Sequence, residues 1–228
     1  MIIFVHVNTK TPIAMDFAVN RYIHFYTDFA FKRLFGTEIN KDLLIGFLNA
    51  VLKDEETITD VTYLNSEQLG DTVVDRKAVF DVYCRNERGE YFIVEMQKGE
   101  QHNFKDRTVY YSTFPIRAQA AKGYWDYSLK AVYTIGILNF CFYDGKDEFY
   151  HHEVKLMDTK TKEVFYDKLT YIYLEMPKFN KSIDQLETLF DKWMYAIKHL
   201  SEFLSRPEIM EEQVLRHFFE AAEIAKFT

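Results

Sequence analysis

Between Val79 and Gln97 the chain passes through two short apolar runs, Val79-Phe80-Asp81-Val82-Tyr83-Cys84 and Tyr91-Phe92-Ile93-Val94-Glu95-Met96, joined by Asn86-Glu87-Arg88-Gly89-Glu90. β-Branched and aromatic residues around a polar, glycine-bearing turn predict an antiparallel hairpin. Both faces of each strand are apolar, so both must be covered, which is the condition of central strands in a layered α/β domain. An open sheet with one wetted side is excluded.

The flanking sequence supplies the cover. Thr27 is placed to cap a helix with Phe31, Leu34 and Phe35 on one side, ended by Gly36, and Asn40 to cap a second that carries Leu43, Leu44, Phe47, Leu48, Val51 and Leu52. Strand-like segments are expected at 58–64, 77–85, 91–97, 129–140, 149–157 and 169–175, with a helix over 104–125 that Pro115 is placed to kink. The order α-α-β-β-β-α-β-β-β describes an α/β domain around a mixed sheet. Beyond Met176-Pro177 the pattern is helical: a stripe from Ile183 to Phe203, a break at Arg206-Pro207, and a last helix still running at Phe227. This divides the chain into a domain at 21–178 and a helical extension at 179–228, whose unfinished pattern leads us to expect that the natural chain continues.

Three polar residues sit where a buried strand should avoid them: Asp81, Glu95 and Gln97. If the hairpin is centred on Arg88, paired residue numbers sum to 176, and Asp81 falls opposite Glu95. Directly opposed residues have Cβ atoms roughly 4.5–5.5 Å apart on one face. Gln97 shares that face and Met96 turns away. Two carboxylates so placed repel each other unless a cation sits between them, and an all-oxygen donor set suits Mg²⁺ or Mn²⁺. A divalent ion held by Asp81, Glu95 and a backbone carbonyl, with water, is a device for phosphodiester hydrolysis. The competing reading is that the two acids pair with Arg76, Lys77 or Arg107.

With 28 basic and 35 acidic residues the net charge is −7, so no global basic field announces nucleic acid. The distribution is uneven: Lys98, Lys105, Arg107, Arg117 and Lys122 outnumber Glu100 and Asp106 behind the hairpin. That cluster is either a phosphate-contacting face or a solvated one. Cys84 and Cys141 are too few for a disulfide framework, which points to a reducing cytoplasm, and no apolar run approaches membrane-spanning length. Aromatic residues make up 17% of the chain. Phe190, Trp193, Tyr195, Phe203, Phe218 and Phe219 concentrate in the terminal helices and suggest a docking surface for a homo-oligomer.

Thr27-Asp28-Phe29-Ala30-Phe31-Lys32-Arg33-Leu34-Phe35-Gly36, Asp75-Arg76-Lys77-Ala78-Val79-Phe80-Asp81-Val82, Phe92-Ile93-Val94-Glu95-Met96-Gln97 and Phe104-Lys105-Asp106-Arg107 together resemble the Rpn family of recombination-promoting nucleases. That branch of the PD-(D/E)XK nucleases is also called the PD-(D/E)XK nuclease family transposases, and the likeness spans roughly 21–228. It implies a restriction-endonuclease-like αβββαβ core and a Mg²⁺-dependent DNA endonuclease linked to recombination or mobile elements. On that resemblance Asp81 and Glu95 are the metal-binding acids, the Met96 carbonyl a further ligand, and Gln97 stands where the superfamily usually carries Lys. Gln orients by hydrogen bonds but supplies no charge. Accessory candidates are Asp28, equally read as a first-turn acid favoured by the helix dipole, Gln119, equally read as solvated, Arg117, and Lys77, which lies about 13 Å along the strand from Asp81 at ~3.3 Å per residue. Lys98, Lys105, Arg107 and Lys122 are the DNA-contacting candidates. The alternative is a nuclease-fold binding protein without catalysis.

Overall fold

The hairpin registers as the arithmetic requires. In the computed structural model, which describes residues 20–53, 57–68, 78–120, 126–142 and 149–224, strand β4 (Val82–Asn86) pairs antiparallel with β5 (Tyr91–Gln97), with Arg85 opposite Tyr91, Tyr83 opposite Ile93 and Val82 opposite Val94. Asn86 closes the turn: its amide N–H bonds the Glu90 carbonyl at 3.0 Å, and its side-chain oxygen accepts from the Arg88 and Glu90 amides. Gly89 takes φ +84°, a conformation that glycine adopts without strain.

β5 then pairs in parallel with β6 (Val132–Leu138), and β6 in parallel with β8 (Val164–Glu175), whose outer neighbour is antiparallel β7 (His151–Met157). β1 (Val61–Tyr63) closes the other side, so the mixed six-stranded sheet runs β1-β4-β5-β6-β8-β7. One face carries Val82, Cys84, Phe92, Val94, Met96, Ile135, Ile137, Ile172 and Leu174 into a core shared with helices α1 (Asp28–Phe35) and α2 (Lys41–Val51). The other face, through Tyr83, Ile93, Leu138, Tyr171 and Tyr173, is covered by α3 (Phe104–Ala118). Two covered faces account for strands that are apolar on both sides.

Several expected elements differ. The strand expected over 77–85 is broken: β3 (Ala78–Val79) leaves the main sheet to pair with β2 (Glu67–Gln68), the Phe80 amide bonds the Ser66 carbonyl, and Asp81 lies at a bend before β4 starts. α3 ends at Ala118, because Gln119 turns its side chain onto the main chain of Lys130. Asn40 does not cap α2 with its side chain; its buried amide donates 2.7 Å to the Arg33 carbonyl and satisfies the end of α1 instead. α4 covers Leu189–His199, starting late because Thr188 and Asp191 form a capping box, and α5 covers Gln213–Ala221. Lys77, Lys122 and residues 121–125 lie outside the described residues, as do the chain's first 19 residues and its last four.

The segment after 179 contributes to the same core as the sheet. Trp193, Met194, Ile197, Leu215, Phe218 and Phe219 are buried in it, and Phe190, Tyr195 and Phe203 pack against it. Of the aromatic cluster expected as a docking surface, Trp193, Phe218 and Phe219 are therefore internal, and Phe190, Tyr195 and Phe203 are half-buried against them. An amphipathic stripe records that a helix face is covered, not whether the cover belongs to the same chain.

Candidate active site

The ladder between β4 and β5 stops at Val82–Val94, and the next position is joined by side chains. The Asp81 amide donates to Glu95 Oε1 at 3.1 Å, while Asp81 Oδ2 accepts the Met96 amide at 2.9 Å. Each carboxylate thus spends one oxygen on the opposite strand. Asp81 Oδ1 and Glu95 Oε2 take no hydrogen bond from the described residues.

Glu95 is 3% exposed, and its parallel neighbour on β6 is Gly136. A Cβ at 136 would stand 3.4 Å from the Phe104 ring and 3.2 Å from that of Tyr173. The glycine lets the first turn of α3 lie close over β6, beside Glu95. Arg107 follows one turn later, with Nη2 3.8 Å from Glu95 Oε2. Tyr111, a further turn on, feels the Glu95 charge.

Burial, and secondarily the neighbouring Asp81 charge, push the Glu95 carboxyl up to about 8. Burial raises Asp81 as well, against the pull of the Met96 amide. Two cations offset part of this: Arg107 from α3, and Lys32 from α1, whose charge acts on both carboxylates. Lys32 is held 2.7 Å from Asp28, one helical turn earlier, and this bond leads the causes that raise the Lys32 ammonium. Of this pair only Asp28 is singled out by the sequence, and Lys32 joins the site through the fold. The available signal was their four-residue spacing, which places them on one face of α1.

The other candidates separate clearly. Gln97 is buried at the end of β5 on the Glu95 side, its carbonyl fixed 2.9 Å from the Asn139 amide. Met96 turns its side chain into the opposite core. Lys98 is exposed beyond the strand, and Lys105 lies exposed on the first turn of α3 with its ammonium 4.6 Å from the centre of the Phe142 ring. Arg117 is ten residues beyond Arg107 on α3, about 15 Å along its axis. Gln119, spent on Lys130, lies with it at the far end of that helix.

Among the described residues no three of His, Cys, Asp and Glu cluster as metal ligands. The donor set for a cation is two carboxylates with one outward oxygen each, plus main chain and water. Hard oxygen donors, repelling and partly desolvated, suit a divalent ion of the Mg²⁺ or Mn²⁺ kind.

A family model described as PD-(D/E)XK nuclease family transposase matches residues 25–228, and the chain belongs to that family. Membership supports a nuclease-type function, and the mixed sheet with five α-helices among the described residues is consistent with a restriction-endonuclease-like fold. No curated protein and no solved structure matches. Among the described residues no helix is long and apolar enough to cross a membrane.

Proposed function

We propose that this member of the PD-(D/E)XK nuclease family transposases is a divalent-metal-dependent DNA endonuclease. The observation that carries the reading is the reciprocal lock of Asp81 and Glu95, which fixes a half-buried and a buried carboxylate side by side and leaves one oxygen of each to a ligand. With the Met96 carbonyl they are the residues that would hold the ion. When bound, such an ion acidifies water and neutralises phosphate charge. In the hydrolysis, a bond forms from a water oxygen to phosphorus and the bond from phosphorus to the leaving sugar oxygen breaks. The proton lost by the water passes to solvent, and the leaving oxygen takes one up. Gln97 orients the attacking water by hydrogen bonding, since an amide cannot accept a proton near neutral pH. Lys98 and Lys105, with Lys122 beyond the described residues, contact flanking phosphates.

Nicking of supercoiled plasmid in Mg²⁺ tests this. Asp81→Ala and Glu95→Ala are expected to slow it about 1,000-fold or more, as befits losing several kcal/mol of charge stabilisation. Intact plasmid with the wild type, or nicking by both variants at the wild-type rate, overturns the catalytic assignment. Retained DNA binding in the first case would favour a non-catalytic binding protein.

A further inference from the structure

Phosphodiester hydrolysis places growing negative charge on two non-bridging phosphate oxygens, and Gln97 brings no charge to meet it. We propose that Arg107 clamps the scissile phosphate through the Nε–Nη2 edge of its guanidinium. This rests on the nuclease reading for its substrate, although its geometry stands apart from it.

Arg107 is held from three sides. Nη1 bonds Gln101 Oε1, and the guanidinium carbon lies 5.1 Å from the centre of the Phe104 ring and 5.7 Å from that of Tyr111. Nε and Nη2 are buried and make no hydrogen bond among the described residues. Nη2 lies 3.8 Å from Glu95 Oε2, beyond hydrogen-bond reach, and the Arg107 charge acts on both carboxylates.

A closed ion pair is not what this shows. Buried acids elsewhere in the protein draw their cations in fully: Lys178 lies 2.5 Å from Glu175, and Lys181 2.7 Å from Asp191. Arg107 stands off from a deeply buried carboxylate while two of its donors go unused, which is costly without an acceptor. Two parallel N–H groups on one rigid edge match two phosphate oxygens, a fit that Lys cannot reproduce. The acceptor that completes the arrangement is a phosphate seated beside Asp81 and Glu95.

The test uses the full chain, Arg107→Gln and Arg107→Lys, with melting curves to establish that each is folded. Inorganic phosphate is titrated in Mg²⁺ by calorimetry, and cleavage of a short duplex is followed under single turnover. Arg107→Gln is expected to weaken phosphate binding roughly tenfold or more, as for a lost charge-assisted hydrogen bond. At saturating DNA it should slow cleavage about 100-fold, as for a lost transition-state donor. Arg107→Lys should restore little of either, because it returns the charge without the fork. The proposal is overturned if wild type fails to bind phosphate, or if Arg107→Gln binds it equally. It is also overturned if the variant raises KM while leaving the saturated rate intact, the mark of a distributed backbone contact. Phosphate binding that depends on Arg107 in a protein that leaves DNA uncut would remove the nuclease reading and keep the anion clamp.

Discussion

Asp81 and Glu95 each lend one oxygen to the opposite strand, so a pair that repels electrostatically is also a structural splice at the end of the β4–β5 ladder. Burial, with that repulsion second to it, has a consequence of measurable sign. The Glu95 carboxyl is pushed up to about 8 in the folded chain, above its ordinary value, so the folded state binds the proton more tightly than the unfolded state. Its contribution to stability is complete below the unfolded pKa of about 4.5 and is lost as pH rises through about 8. Glu95→Gln keeps an acceptor for the Asp81 amide and removes the charge. In EDTA it should unfold less readily than wild type at pH 9, by on the order of a few kcal/mol, with a flatter dependence between pH 5 and 9. Urea unfolding across that range checks it, and an unchanged pH dependence would sink the electrostatic account. The facing of Asp81 and Glu95 was legible from sequence because strand side chains alternate with a period of two about a visible turn. Lys32 was not legible as part of the site. Its proximity depends on where α1 lands, which no local pattern encodes.

At the scale of elements, α3 decides what surrounds the carboxylates, since its first two turns carry Lys105 and Arg107. Its buried face holds Phe104, Thr108 and Ser112 at four-residue intervals. Thr108 Oγ1 donates to the Lys105 carbonyl and Ser112 Oγ to the Val109 carbonyl, so each hydroxyl has spent its single hydrogen. It follows that the Tyr173 and Tyr171 hydroxyls donate to them, at 2.7 and 2.8 Å. Two buried hydroxyl pairs thus fasten the helix to β8. Thr108→Val preserves shape and leaves the Tyr173 hydroxyl without that acceptor, so it should cost about 1–3 kcal/mol. Thr108→Val with Tyr173→Phe should cost less than the sum of the single changes, a non-additivity that a double-mutant cycle by urea unfolding reads directly. Simple additivity would remove the clasp. The existence of α3 could be read from spacing, but its end could not. Residues past Ala118 keep helical propensity, and the main chain of Lys130 competes for Gln119 through a contact eleven residues away.

Over the whole molecule, the first and last described segments are stitched together. Tyr22 bridges Glu223, the Ile23 amide bonds the Ala222 carbonyl, the Ile224 amide bonds the Arg21 carbonyl, and Arg21 pairs with Glu223. Between them Trp193, fully buried on α4, meets Phe35 of α1 and Phe47 of α2 at 5.9 Å and Phe218 of α5 at 5.1 Å, all edge-on. The layer beneath the sheet is thus built from residues distant in sequence. This is why the stripe on the terminal helices was legible and its partner was not: the matching face lies some 150 residues upstream. The energetic consequence concerns cooperativity. A helical unit with its own core would melt separately from the sheet, whereas helices that complete a common core cannot leave without exposing α1 and α2, and with them the Lys32 side of the site. Trp193→Ala should therefore cost about 3–5 kcal/mol, the range for emptying a buried aromatic site. That loss should appear in a single unfolding transition, seen alike by far-ultraviolet circular dichroism and by near-ultraviolet signals from aromatic residues elsewhere in the core. If Trp193→Ala instead produces two separated transitions, with the sheet's own midpoint unmoved, then the helices after 179 are an independent unit and the shared core contributes little to holding α1 against the site.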